Sequence, residues 1–285
     1  MPASRRAIII GLEILVLLSE LNANNALGER FGMFDAIDWQ AILPFIAIGF
    51  AAQMVDGALG MAFGVINSTL LVGMMGVPPA VASASVHVVE TFTTAASGAS
   101  HAAHRNVDWK LFRRLVIPGV IGGGLGAYVL ANIHADSARP FVMAYLAVIA
   151  IYLLYRAWRG QVQPKSPKVV GPLGLVGGFL DAAGGGGWGP VVASNLLAQG
   201  SEPRYTIGTV NTVEFFVTAT ISATFIFTLG IAAFTYQAVG LLIGGLLAAP
   251  FGAVLAKRVP ARPLMAMVGV LLLLTSSWAI WQAFR

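Results

Sequence analysis

Four acids stand inside long apolar stretches of this chain: Asp56, Glu90, Asp181 and Glu214. A charged carboxylate at the centre of a bilayer costs about 2.5–3.5 kcal/mol or more, so each should face a cavity or a partner and not lipid. The chemistry open to them is proton transfer, cation binding, gating of a passing ion, or capping of a helix whose orphan amides need acceptors. His87, three residues before Glu90, is the group here whose ordinary titration range includes neutrality. The pair can relay a proton or form a simple hydrogen bond. One histidine and one carboxylate leave a metal ion short of ligands, so neither a metal nor any other cofactor is expected.

The acids have repeated surroundings. Asp181-Ala-Ala-Gly-Gly-Gly-Gly-Trp-Gly-Pro190 has a weaker copy upstream, Asp56-Gly57-Ala58-Leu59-Gly60-Met61-Ala62-Phe63-Gly64. The two align without gaps, Asp56 on Asp181, Gly60 on Gly185, Phe63 on Trp188 and Gly64 on Gly189. Glycine in a helix is unfavourable by roughly 1 kcal/mol relative to alanine, so a helix entering the four-glycine run should break. Amides at the start of the next half-helix then offer a positive field to an anion, with glycine allowing close backbone approach. Phe63 and Trp188 can wall such a site or simply pack. Asn67, Asn195, Ser85, Thr209 and Asn211 are further candidate ligand donors. Residues 184–189 formally read G-x-G-x-x-G, but no parallel-strand unit surrounds them and the match is incidental.

Around Glu90, the residues Ser83, His87, Glu90, Thr94, Ser97 and His101 follow steps of four and three and share one helix face. The second copy keeps Asn211, Glu214 and Thr218 but is apolar at Ile207 and Ile221. Such a stripe serves a pathway or acts as interhelical glue. Gly122 to Gly126 and Gly240 to Gly244 have G-x-x-x-G spacing, which points to close helix packing.

The elements that must position these residues are membrane helices. With 57% hydrophobic and 10% charged residues, the chain is no soluble domain. Its 285 residues allow about seven to ten spanning segments, and hydropathy alternates too weakly for a β-barrel. The net charge of +5 lies in loops and is topology information, not a nucleic-acid footprint. No cysteine is present to form a disulfide or a thiolate site. Apolar segments fall near 7–21, 39–56, 58–75, 79–104, 111–132, 139–157, 168–182, 184–200, 203–229, 234–256 and 262–284. Segments 58–75 and 184–200 are short and glycine-rich and suit re-entrant or broken helices.

Pro79 matches Pro203, Ser85 matches Thr209, His87 matches Asn211, Glu90 matches Glu214 and Thr94 matches Thr218, all at an offset of 124. The chain therefore reads as an N-terminal helix and external loop (1–38), a first repeat (39–157), a cytoplasmic linker (158–167) and a second repeat (168–285). Lys and Arg mark cytoplasmic loops, which puts the N-terminus inside and the C-terminus outside the cell (inner) membrane. The first helix resembles a signal peptide, yet no convincing cleavage site follows, and a retained helix is expected. By the same charges the repeats should be inverted. The expected fold is all-α and polytopic, with two inverted repeats, each a broken or re-entrant hairpin followed by transmembrane helices. Inverted repeats with broken helices at matching positions are the plan of secondary transporters, with substrate held where the halves meet.

The doubled glycine-rich hairpin, the starts at Pro79 and Pro203, and the segments SASVHVVET, TIGTVNTVE and HRNVDWKLFRRLVIPGVIGGGLGA resemble the TauE/SafE (sulfite exporter, TSUP) family of multi-pass transporters, over about residues 40–284. The resemblance implies transport of sulfur-containing anions such as sulfite, sulfoacetate or other organosulfonates, often outward. On this view Gly60, Phe63, Gly64, Asn67, Ser85, His87, Gly185, Trp188, Gly189, Thr209 and Asn211 are candidates to bind substrate. Asp56, Glu90, Asp181 and Glu214 are candidates for gating or proton coupling. The partners would be a small anion and the lipid bilayer, without nucleic acid, and a homodimer is compatible. A proton or cation pathway through the four acids is the alternative. An intramembrane enzyme ranks low, because no G-x-S-x-G, H-E-x-x-H or cysteine is present.

Overall fold

The computed structural model describes residues 39–59, 61–103, 105–159, 167–199, 201–231, 236–258 and 261–283. Two compact units divide at Pro44, Met1–Pro44 and Phe45–Arg285. The helix expected at 7–21 and the loop to residue 38 lie outside the described residues, as do Gly60 and most of the linker.

Every described element is helical. In chain order they are α1 (Trp39–Leu59), α2 (Phe63–Ser68) continued by a π-helical turn (Thr69–Met74), α3 (Pro79–Ala103), α4 (Trp109–Ala131) and α5 (Ala135–Arg159). Then come α6 (Gly171–Gly184), a π-helical turn (Trp188–Ala193) continued by α7 (Ser194–Ala198), α8 (Pro203–Leu229), α9 (Tyr236–Arg258) and α10 (Ala261–Ala283). Element order thus repeats: helix, break, short helix, three long helices. Helices α3 and α8 start at Pro79 and Pro203, where the missing amide hydrogen is no loss. Helix α4 is capped by Asp108, whose Oδ1 accepts from the amides of Lys110 (2.8 Å) and Leu111 (3.1 Å).

Helix α4, α5 from Pro140 and α8 from Tyr205 are long and apolar enough to cross a membrane. Helix α3 is 25 residues long, but its polar stripe lowers its hydropathy because that face meets protein. The outer faces are apolar where bilayer is the solvent: Phe141, Trp158 and Phe227 are 78%, 82% and 88% exposed.

Glycines set the closest seams. A Cβ on Gly122 would lie 3.0 Å from the Phe179 amide, and one on Gly178 would lie 2.9 Å from the Gly123 amide, so α4 and α6 touch backbone to backbone. Helices α1 and α9 do the same, with Gly49 against Leu241 and Gly244 against Phe50. Gly119 receives Trp188 and Val217, whereas Gly245 receives Phe63 and Thr93, the aligned residues of the other half. Helices α3 and α8 cross in opposite directions. Thr91 meets Ser222 (3.2 Å), Thr94 meets its own counterpart Thr218 (3.5 Å), and Ser97 donates to Asn211 (3.2 Å).

Candidate functional site

Both breaks fall where glycine concentrates. Helix α6 runs through Gly184 and ends as Gly185 and Gly186 take φ of +70° and +138°, values that side-chain-bearing residues rarely adopt. In the first copy the residue aligned with Gly187 is Ala62, which sits at φ 107°. A left-handed alanine is strained by about 1–2 kcal/mol. Ala62→Gly should therefore raise the melting temperature by a few degrees, read by thermal unfolding in detergent. No change would mean that Ala62 is not strained.

Neither acid stands at the start of the half-helix that follows it. Each lies at the end of the preceding helix and reaches across the break. Asp181 Oδ1 accepts from the amides of Gly187 (2.6 Å) and Trp188 (2.9 Å). Asp56 Oδ1 accepts from Phe63 at 3.3 Å, and the Gly64 amide donates to Glu90. Helix-terminal amides that could attract an anion are thus already engaged by the chain's own carboxylates. An anion would have to displace one of them.

The two tips also touch. A Cβ on Gly64 would lie 2.8 Å from Gly186 Cα, 3.1 Å from Glu90 Oε1 and 3.3 Å from the Gly185 carbonyl oxygen. The Ser68 hydroxyl donates to the Gly185 carbonyl, tying one break to the other. The sequence placed an anion between these tips; here backbone fills that space.

His87 links the acids. Its ring is fully buried, with Nε2 at 3.3 Å from Asp181 Oδ2 and 4.0 Å from Glu90 Oε2. Its Nδ1 lies 2.7 Å from the Ser83 carbonyl oxygen, which can only accept, so Nδ1 carries a hydrogen. The hydrogen bond at Nε2 then needs a second proton, borne by the ring or by the Asp181 carboxyl. Ser83 Oγ donates to the Ala182 carbonyl (2.7 Å), completing the bridge between α3 and the end of α6. Glu214 is half-buried and within electrostatic range of Glu90, Asp56 and Asp181. Two carboxyls, Asp181 and Glu90, thus share one imidazole, with Asp56 and Glu214 within electrostatic range of Glu90.

Other candidates have different surroundings. Trp188 is fully buried, its indole N–H donates to the Val210 carbonyl (3.1 Å), and its ring packs on Gly119. Phe63 is buried beside Gly245. Thr209 Oγ1 accepts from the Asp108 amide (2.9 Å), beside the α4 cap. Asn195 donates to Val191 (2.7 Å). Asn211 donates to Ile207 (3.0 Å) and accepts from Ser97. The amide of Asn67 donates to Phe63 (2.9 Å), leaving its Oδ1 buried without a hydrogen-bond partner, like Ser85 Oγ and Glu90 Oε2. Gly189 is buried within the turn after Trp188. Sequence reasoning missed Tyr145, whose hydroxyl donates to the Gly186 carbonyl (3.3 Å) and whose ring lies on Gly184. An aromatic in an apolar helix gives no local signal of that contact.

The sequence from residue 45 to 278 matches the family described as "Sulfite exporter TauE/SafE". The chain belongs to this family. A curated relative, "Probable membrane transporter protein YtnM" of Bacillus subtilis (strain 168), is 40% identical over 245 residues, covering 83% of this chain and 81% of that protein. No solved structure gives a significant match. Members of the TauE/SafE family are membrane transporters, and the apolar helices fit a membrane location.

Proposed function

We propose that the protein exports small sulfur-containing anions, such as sulfite, sulfoacetate or another organosulfonate, by alternating access between two inverted repeats. The supporting observation is the crossing of α3 and α8: equivalent helices run antiparallel and meet at the equivalent residues Thr94 and Thr218, beside the touching breaks. Two equivalent antiparallel helices are related by an axis perpendicular to them, which for membrane helices lies in the membrane plane. On this plan the N-terminus is cytoplasmic, the C-terminus external, and the repeats are 39–157 and 168–285.

The anion reaches the half-helix amides when the tips separate, taking the place of the Asp181 or Asp56 carboxylate. The displaced carboxylate then finds a proton or His87. The family description names sulfite and export. With the cell interior negative, outward movement of one negative charge is downhill by about 2.3 kcal/mol per 100 mV, so export needs no driving ion.

Proteoliposomes loaded with labelled sulfite or sulfoacetate should release it, and Glu90→Gln or Trp188→Ala should slow release by roughly tenfold, a loss of about 1.4 kcal/mol. No efflux of any sulfur anion would overturn the substrate assignment. The second reading, a proton or cation pathway, is favoured by one observation, the excess of four carboxyls over one imidazole. A proton or sodium current without any anion present would decide for it.

A further inference from the structure

Helix α4 carries a feature that the transport reading does not use. Lys110, Arg114, Ile117, Ile121, Leu125 and Tyr128 follow steps of four and three, so they share one face of the helix. Both cations are exposed, and the four apolar side chains below them are 51–65% exposed. Arg114 Nη2 donates to the Lys168 carbonyl at 3.4 Å, which brings a further cationic residue, from the segment before α6, to this end of α4. Trp109, also exposed, meets Phe112 edge to face with ring centroids 5.3 Å apart. Aromatic residues of this kind collect at the membrane–water interface. The first turn of α4 therefore lies in the head-group layer, and the stripe below it lies among acyl chains.

These cations have no counter-ion from the chain. Asp108 stands next to them in sequence, but its Oδ1 is occupied by the amides of Lys110 and Leu111. Among the described residues, ion pairs within 4.0 Å are confined to those of His87. Like charges gathered from two elements repel, and an anion placed between them turns that repulsion into attraction.

We propose that this face of α4 binds an anionic phospholipid, with the phosphate held by Lys110, Arg114 and Lys168 and an acyl chain lying along Ile117, Ile121 and Leu125. The site goes beyond the transport reading and does not depend on it. A free anion such as phosphate would use the cations and leave the stripe without a role. A second copy of the chain would cover the stripe, but a two-fold axis along the membrane normal would set Lys110 and Arg114 against their own copies. A phospholipid satisfies both parts at once, as basic clusters beside membrane helices do for anionic head groups. Helix α5 supplies the comparison. Its exposed Ile151, Tyr155 and Trp158 also accompany two cations, Arg156 and Arg159, but the Arg159 guanidinium already lies over the Tyr155 ring at 5.5 Å.

The full chain is purified in a neutral detergent, and bound lipid is counted by native mass spectrometry as dioleoyl phosphatidylglycerol or dioleoyl phosphatidylcholine is titrated in. Phosphatidylglycerol should bind at least about tenfold more tightly. With about fivefold lost per cation, Lys110→Gln combined with Arg114→Gln should weaken its tightest site roughly twentyfold. Should the double variant not purify, each single variant should still lose about fivefold. Arg156→Gln combined with Arg159→Gln should change the same site less than about twofold. Equal losses from the two double variants would mean diffuse attraction to any surface cation and would overturn the site. Displacement of the lipid by millimolar inorganic phosphate would assign the cations to a free anion and would overturn it too. The chain contains no cysteine, so Ile121→Cys is a unique thiol. In phosphatidylglycerol proteoliposomes it should stay monomeric under oxidation, and a disulfide-linked dimer would put a second copy on the stripe in place of the lipid.

Discussion

Asp181→Ala should lower the melting temperature in detergent by roughly 10 °C. Its carboxylate holds two buried amides across the break, at 2.6 and 2.9 Å, and its other oxygen holds His87 at 3.3 Å. Each buried donor left without an acceptor costs about 1–3 kcal/mol, and stranding a partner of a buried charge costs more. A total of about 3–5 kcal/mol corresponds to that shift for a chain of this length. Asp181→Asn keeps an oxygen for the amides and should lose less than half as much. Asp56→Ala removes one longer contact, at 3.3 Å from Phe63, and should fall well short of Asp181→Ala. Equal losses at the two aspartates would contradict the unequal bracing of the two breaks.

Gly186→Ala should leave little folded protein. Gly186 sits at φ +138°, and its Cα lies 2.8 Å from where a Cβ on Gly64 would stand, so the two breaks already touch. A side chain here adds backbone strain of about 1–3 kcal/mol to overpacking of similar size. The flexible end of a neighbouring side chain could yield, but the obstacle is backbone. Gly230→Ala is the control: its φ is +78° with nothing within 4 Å, so backbone strain of about 1–3 kcal/mol applies without any overpacking. If both variants purify equally well and melt together, the contact between the breaks does not exist.

Much of this fold was legible in the residues. Pro79 and Pro203 announce two helix starts because proline lacks the hydrogen that a first turn leaves unused. The glycine run announces a break, and the offset of 124 announces that the same pieces occur twice. The stripe from Ser83 to Ser97 announces a face turned toward protein, and Thr94 and Ser97 do meet Thr218 and Asn211. The spacing G-x-x-x-G at Gly122 and Gly126 announces the seam with α6.

The site was legible only in its membership. Spacing puts Asp181 before a glycine run, but which helix end it serves depends on the path of the next seven residues. That path brings Gly187 and Trp188 back to its carboxylate. The contact of Gly64 with Gly186 joins residues far apart in the chain and needs both breaks to be folded. Thr209 aligns with Ser85 by offset, yet its hydroxyl serves the start of α4, because repeats preserve frame more faithfully than side-chain partners. Tyr145 carries no sequence mark, since its partner is a carbonyl that only the broken helix exposes.

The unlike contents of the two breaks have an energetic consequence. A scaffold of two matched halves can exchange their roles, and its two end states are then mirror equivalents of equal free energy. Here Ala62 stands for Gly187, His87 for Asn211, and one long amide contact for two short ones. Every difference of about 1.4 kcal/mol between such states is a tenfold bias in their populations. The second break is braced more firmly than the first, so under the proposed alternating-access cycle the first would be the one to yield. The cycle would then have a preferred resting form even with no gradient across the membrane, and that asymmetry would be written into the protein and not supplied by its cargo.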